Sequence, residues 1–285
     1  MKLFIDGDND ILYLTKHISF EHASIDECDY ILSAKFPWGI THMTMIQSAL
    51  DSYKDCKKKV LVFLISDSSI LFNIPDNVYL FRTSLQKSIH IANEYILPYI
   101  WDGVDRFIQP LEKKHKPIVG FCGMNNTHRN NTLIKLGETE QIVCNFLVRK
   151  QFWGGAPHDK GLIDDFENNI ENSHYTLCNR GAGNFSMRFY QVLSAGRIPI
   201  FVNTDMKMPF ENEIDWKAIS VSGNNDEELI ANLISFNNAI DIVEVQKKCK
   251  YIYDTFFSPE KYFVKLFTLL DKFVILEYPV DHGSK

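Results

Sequence analysis

Two rhythms of apolar residues alternate along the chain. Short solid runs, such as residues 60–65 (VLVFLI) and Ile198–Val202 (IPIFV), have the length of strands buried on both faces. Between them lie stretches with helical spacing. In residues 41–53, for example, Met43, Ile46, Leu50 and Tyr53 fall on one face. This reading predicts strands over residues 2–5, 29–34, 60–65 and 77–81, with a turn at Pro37-Trp38-Gly39 and helices over 41–53 and 84–95. The stretch 110–116 (PLEKKHK) breaks the pattern as a charged, proline-led linker. Beyond it the alternation resumes. Strands are predicted over 117–122, 141–148, 175–178 and 198–202, and helices over 131–136, 162–171, 186–195, 226–236, 242–256 and 260–274. Strand and helix in turn imply an α/β fold of two Rossmann-like lobes, residues 1–115 and 116–285. Whether the last helix packs back on the first lobe is left open by the pattern.

Composition narrows the function classes. The 285 residues are 45% hydrophobic and 23% charged, as in globular proteins, so disorder, collagen and coiled coil are excluded for the whole chain. The net charge of −6 argues against a general nucleic-acid binder and requires any anionic ligand to be held by a few local arginines or lysines. No run approaches the roughly 18–20 apolar residues of a membrane span. The opening MKLFIDGDND, interrupted by Asp6, does not read as a signal peptide, so a cytoplasmic setting is expected. Six scattered cysteines without a C-x-x-C pair read as reduced and mostly buried thiols. The Asn-x-Ser/Thr matches at Asn125, Asn130 and Asn184 read as chance in an Asn-rich chain.

One stretch carries chemistry: HYTLCNRGAGNFSMRFYQVLSAGRIPIFV, residues 174–202. A strand runs into Arg180-Gly181-Ala182-Gly183-Asn184-Phe185-Ser186, then into a helix and a second strand. Gly181 and Gly183 permit a tight turn and close approach of a ligand. Ser186 suits an N-cap, and the amides of residues 181–186 at the helix start form an anion site. Arg180 and Arg188 flank it and can fork onto phosphate. Gln191 follows one turn later on the same face. The assembly reads as a diphosphate cradle. A dehydrogenase-type reading shares the geometry: Gly181-x-Gly183-x-x-Ser186 resembles the G-x-G-x-x-G/A fingerprint, and Asp205 lies near the spacing of its ribose-binding acid.

The same residues resemble the C-terminal signature of exostosin-type (family 47) glycosyltransferases, C-P-R-G-x-G-x-x-S-x-R-x-x-E-A-x-x-x-G-x-I-P-V followed by P-F and D-W. Here the run is Cys178-Asn179-Arg180-Gly181-x-Gly183-x-x-Ser186-x-Arg188-x-x-Gln191, then Gly196-x-Ile198-Pro199-Ile200, Pro209-Phe210 and Asp215-Trp216. Gly123 and Arg129 also match the family's glycine and arginine after the first strand of this lobe. The segment GRIPIFVNTD is most similar to short bacterial or viral members. The resemblance is close over about 50 residues, looser over 117–222, and faint in the first lobe.

The resemblance implies a GT-B-like architecture and an inverting transfer, usually from a UDP-sugar. The donor would lie in the second lobe and the glycan or glycolipid acceptor on the first. The donor is then a substrate, and no cofactor and no metal are implied. Arg129, Arg180, Gly181, Gly183, Asn184, Ser186, Arg188 and Gln191 become the donor-binding set. Peripheral association with the cytoplasmic face of a membrane is compatible with such acceptors. Two departures stand out: Asn179 replaces proline, and Gln191 replaces the ribose-binding glutamate, losing its charge. A catalytically inactive nucleotide- or carbohydrate-binding module is the alternative that Gln191 favours.

An inverting transfer needs a base for the acceptor hydroxyl. Asp67, just after the strand at 60–65, is the first choice, because strand C-terminal ends face the cleft of open α/β sheets; a turn aspartate in a serine-rich loop is the plain reading. Asp6 is the second choice. Asp6, Asp8 and Asp10 alternate, but no glutamate closes a calcium loop at His17, and a solvated turn suits them better. The nine histidines show no ligand spacing, and His128, beside Arg129, is the one near the expected phosphates. Arg82, Glu94, Arg149 and Trp153 stand as cleft-lining residues or as surface and core pairs.

Overall fold

The computed structural model describes residues 1–277 apart from residues 9, 37–38, 41, 90, 100–103 and 105–107. The Pro37-Trp38 part of the expected turn, the start of the 41–53 helix and the chain end therefore lie outside the described residues, as does the side chain of Asp10.

The chain builds two parallel sheets. The first holds β1 (Lys2–Asp6), β2 (Glu21–His22), β3 (Tyr30–Ser33), β4 (Lys59–Leu64), β5 (Val78–Arg82) and β6 (Glu94–Ile96), in the order β2-β1-β3-β4-β5-β6. The second holds β7 (Ile118–Met124), β8 (Val143–Arg149), β9 (Tyr175–Leu177), β10 (Ile198–Val202) and β11 (Val221–Gly223), in the order β11-β10-β9-β7-β8. Within each, strand order reverses next to the first strand, between β1 and β3 and between β7 and β9 (all pairs parallel). Such reversals open a crevice at the strands' C-terminal ends.

The central strands β4 and β5 are buried on both faces, as their solid apolar runs require. One face of the first sheet is covered by α1 (Met43–Asp51), whose Ile46 and Leu50 enter a core with Ile31, Val62 and Leu80. The other face is covered by the last helix, α7 (Pro259–Glu277). Its Tyr262, Phe263, Leu266 and Leu270 pack with Leu3, Leu61, Phe63 and Phe81. The second sheet is sandwiched by α2 (Thr127–Gly137), α3 (Lys160–Glu171), α4 (Met187–Ser194), α5 (Asp226–Ala239) and α6 (Ile242–Ile252). Here α2 packs with α5, and α4 with α6. Residues 108–117 form no regular element and are tied to this lobe: Gln246 bonds both N–H and C=O of Leu111, and a ring nitrogen of His174 lies 2.9 Å from the Glu112 carbonyl oxygen.

One expected helix is absent. Residues 84–95 form turns and the short strand β6 instead. The Ser84 hydroxyl and the backbone groups of Leu85 and Lys87 are spent across the lobes. Asn184 N–H donates to Ser84 Oγ (2.8 Å), Lys207 N–H to Leu85 C=O (3.2 Å) and Lys87 N–H to Asp205 C=O (2.8 Å), and Gln86 bridges Met206. A helix would have consumed those backbone groups internally. The short strands β2 and β11 give too little periodicity to read. Four cysteines are buried as expected, whereas Cys56 is half-buried and Cys144 is exposed on the edge strand β8. Among the described residues no helix is long and apolar enough to cross a membrane.

Candidate active site

The strand reversal in the second lobe brings together two loops, β7–α2 and β9–α4. Asn126 caps α2 by accepting from the Arg129 N–H (2.9 Å), and its amide donates to the Arg180 carbonyl (3.2 Å), joining the loops. Ser186 occupies the N-cap position of α4 with extended backbone, but its hydroxyl makes no capping bond. Both helices thus point their N-termini toward the same crevice, where anions are favoured.

Three arginines line it. Arg188 lies under the floor, 8% exposed. It donates to the carbonyls of Cys122 (2.8 Å) and Leu177 (3.4 Å) and stacks on Phe121, 4.5 Å from the ring centre. Gly123, at φ +151°, makes room for it, since a Cβ there would collide with the guanidinium. Arg129 bonds the carbonyls of Met124 (2.8 Å) and Asn179 (3.3 Å). Its guanidinium lies 3.3 Å from where a methyl on Gly181 would stand. Arg180 reaches Ala182 C=O (2.9 Å) and Asn184 Oδ1 (3.3 Å).

Among the described residues none of the three forms an ion pair; their recorded partners are carbonyl oxygens. The Nε atoms of Arg180 and Arg188 are buried without any hydrogen bond. Burial pulls the Arg188 guanidinium below its ordinary range, the nearby Cys178 and Cys122 thiols offsetting part of this. Arg129 is lowered to about 10, first by burial and then by the charge of Arg188. Burial holds the Cys178 thiol up at about 12, so it is no nucleophile at neutral pH. Gln191 is half-buried on α4, and its side chain has no recorded hydrogen bond among the described residues.

The first lobe faces this crevice with its own strand ends. Asp67, exposed in the loop after β4, lies against the glycine turn: a methyl on Gly183 would come within 2.7 Å of its Oδ1 and 3.1 Å of its Cα. The Tyr99 hydroxyl donates to Asp67 Oδ1 (3.4 Å), and burial, then the Asp67 charge, push that phenol well above its usual range. The loop is fixed from behind by Arg82, which bonds the carbonyls of Ser68 (2.5 Å) and Ile70 (2.8 Å) and pairs with Glu94 (2.8 Å), both side chains 2% exposed.

Three of the candidate residues are engaged by other protein groups. Asn184 lies in the seam between the lobes. Its N–H goes to Ser84, its side-chain oxygen takes Arg180 and Thr204, and its amide reaches Leu85. Asp6, the second choice of base, is already engaged by Lys35 (2.7 Å) and the Tyr53 hydroxyl (2.8 Å). Asp205, the acid of the dehydrogenase reading, accepts from the Ser88 N–H (3.2 Å) and hydroxyl in the other lobe. Among the described residues no three His, Cys, Asp or Glu side chains gather as a metal site.

The structure also brings in Tyr99, which the sequence did not single out, and gives two noted residues definite contacts. Asn179 knits β9 to α2 and β10, Tyr99 bonds Asp67, and Arg82 holds the loop that carries it. The signal for Asn179 was a polar residue at the end of a buried strand.

Residues 109–239 match the family model of the Exostosin GT47 domain. Over those residues, most of the second lobe, the chain is similar to exostosin-type GT47 domains. Exostosin-1a of Danio rerio is 28% identical over 97 residues, 33% of this chain and 13% of that protein. Exostosin-1 of Drosophila melanogaster is 29% identical over 120 residues, 41% of this chain and 15% of that protein. The chain thus spans about a seventh of the length of the curated relatives it matches. In three dimensions, the apo form of the lipopolysaccharide outer core galactosyltransferase WaaB aligns over 94% of this chain and 99% of its own, at a TM-score of 0.53 and 12% identity. The residues that match the family model therefore sit within a two-lobed fold of the GT-B kind.

Proposed function

We propose that the protein is an inverting glycosyltransferase that moves a sugar from a nucleoside diphosphate, UDP first among them, to a hydroxyl of a glycan or glycolipid. The observation that carries this reading is the cluster of Arg129, Arg180 and Arg188 at two helix N-termini, free of carboxylate partners among the described residues. The charges of Arg129 and Arg188 are desolvated, and all three are bonded only to neutral carbonyls. In a protein of net charge −6, that arrangement suits a polyanion. The similarity to exostosin-type domains and the GT-B fold support the same class.

In the proposed reaction the arginines and helix amides take up the charge that develops on the leaving diphosphate. Gly181 and Gly183 let it approach the backbone, and Gln191 offers its amide to the ribose. The acceptor hydroxyl approaches from the first lobe, and Asp67 takes its proton as the new glycosidic bond forms and the bond to phosphate breaks. The lobes supply orientation. No cofactor and no divalent metal is needed, because the cations are built in. A hexose or a pentose is transferred according to the donor bound, and a peripheral contact with the cytoplasmic face of a membrane would follow from a glycolipid acceptor.

Calorimetry with UDP, GDP, ADP, CDP and dTDP, followed by product analysis with the matching sugar nucleotides and with chelator added, tests the reading. A bound nucleoside diphosphate at 100 times its Kd should also raise stability by about 2.7 kcal/mol. Binding with sugar transfer, or with slow donor hydrolysis, that survives chelation is expected. Binding without turnover on any sugar nucleotide would favour a nucleotide-binding module, the reading to which the uncharged Gln191 points. No binding to any diphosphate would end both.

A further inference from the structure

Asn179 is 2% exposed and uses every polar atom of its side chain. Nδ2 donates to Thr132 Oγ1 (2.7 Å) and, at 3.4 Å, to the His128 carbonyl. Oδ1 accepts from the Val202 N–H at 2.8 Å. Its own carbonyl receives Arg129 Nε at 3.3 Å. Thr132 is fully buried, and its hydroxyl is within donor reach of the His128 carbonyl (3.1 Å) and of Oδ1 of Asp226 (2.5 Å), the first residue of α5. One side chain thereby grips the end of β10, the first turns of α2 and, through Thr132, the start of α5.

We infer that Asn179 is a positioning residue that sets the spacing of the arginine cradle, a role that rests on the diphosphate reading above. Its backbone is the residue before Arg180. Its side chain holds the helix that carries Arg129, one turn from Thr132. Any slip between β9 and α2 moves these two guanidinium groups relative to each other, and with them the forked contacts that a diphosphate requires. Misplacement on the order of 1 Å is enough to spoil such a constellation. A planar amide can donate to one element and accept from another at the same time. Proline, the residue of the resembling pattern at this position, has no side-chain polar atom and can do neither. A further tie between the loops, besides Arg129 itself, is the bond from Asn126 to the Arg180 carbonyl. Arg188 is anchored separately, on Cys122 and Leu177, so the network acts on the other two arginines.

The test uses calorimetry on the full chain with whichever of UDP, GDP, ADP, CDP or dTDP the wild type binds best, and with its monophosphate. Asn179→Ala should lower diphosphate affinity at least tenfold and monophosphate affinity far less, with the melting temperature within a few degrees of wild type. Thr132→Ala should reproduce the same selective loss. The double variant should be no worse than either single one, because both remove one tether. Asn179→Asp keeps the Val202 contact but sets a carboxylate beside Arg129, and should weaken diphosphate binding further. Equal losses for both nucleotides, or losses that add in the double variant, would make Asn179 an ordinary stabilising residue and overturn the inference. Unchanged binding by Asn179→Ala would do the same while leaving the cradle intact. A wild type that binds none of the five diphosphates would remove the cradle, and this role with it.

Discussion

The C-terminal edges of the two sheets share a topology and differ in how their charges are answered. In the first lobe the cations at the strand ends have carboxylates: Lys35 meets Asp6, and Arg82 meets Glu94. In the second lobe Arg149, at the end of the edge strand β8, likewise meets Asp165 (3.5 Å), but Arg129, Arg180 and Arg188 around the crevice rest on carbonyl oxygens. The same crevice geometry has thus been completed in two ways. The first lobe spends its charges on holding loops still. The second leaves three arginines without carboxylates, which costs stability in the free protein and, under the proposed function, is recovered when the diphosphate binds. The contrast teaches that a charged residue at a strand end reads as structural or as ligand-binding by its partners rather than by its position.

Four outcomes would break or sharpen that contrast. The largest effect is expected at Asp67, the first-lobe carboxylate turned to the crevice. Asp67→Asn should lower turnover by about 10²–10⁴-fold in a transfer assay while nucleotide affinity, measured calorimetrically, is kept. Near-normal turnover would move the base elsewhere. Next, Arg82→Ala leaves Glu94 buried without its cation and should cost about 3–5 kcal/mol in urea unfolding. A loss under 1 kcal/mol would mean that the pair is not structural. Third, Arg188→Ala removes a buried cation that has no carboxylate partner. It should lower diphosphate affinity by about 2–5 kcal/mol, with no comparable fall in stability. Destabilisation matching that of Arg82→Ala would erase the distinction between the lobes.

The smallest effect concerns pH. With Arg129 at about 10, nucleotide affinity should stay nearly level between pH 7 and 9 and fall as the pH rises through 10, where the guanidinium gives up its proton. For the free protein the sign is opposite. The folded state holds that proton less tightly than the unfolded chain does, so this group penalises folding below pH 10 and the penalty lifts above it. An affinity that falls steeply between pH 7 and 9 would point to a different titrating group.

Much of this was legible in the sequence because the signals were local. The solid runs at β4, β5 and β10 announce buried parallel strands. Arg180, Gly181, Gly183 and Arg188 stand within one turn-and-helix segment whose chemistry can be read directly. What stayed hidden was non-local. Residues 84–95 carry helical spacing, but their backbone donors and acceptors serve residues 184 and 205–207, and no local pattern encodes that demand. Asp6 reads as a free acid until the fold supplies Lys35 and Tyr53. Asn184 reads as a ligand amide until Ser84 takes its N–H. Arg129 was picked out by resemblance, yet its approach to Gly181 depends on the strand reversal between β7 and β9.

The placement of α7 has a consequence for how the molecule is made. Leu3, Leu61 and Phe63 leave the ribosome long before the helix that covers them, which begins at Pro259. At roughly 5–20 residues per second, that face waits about 10–50 seconds for its cover. The second sheet, whose core lies between residues 108 and 257, can close in the meantime. The lobe synthesised first is therefore the lobe finished last, and its bare sheet face is what a chaperone would have reason to hold.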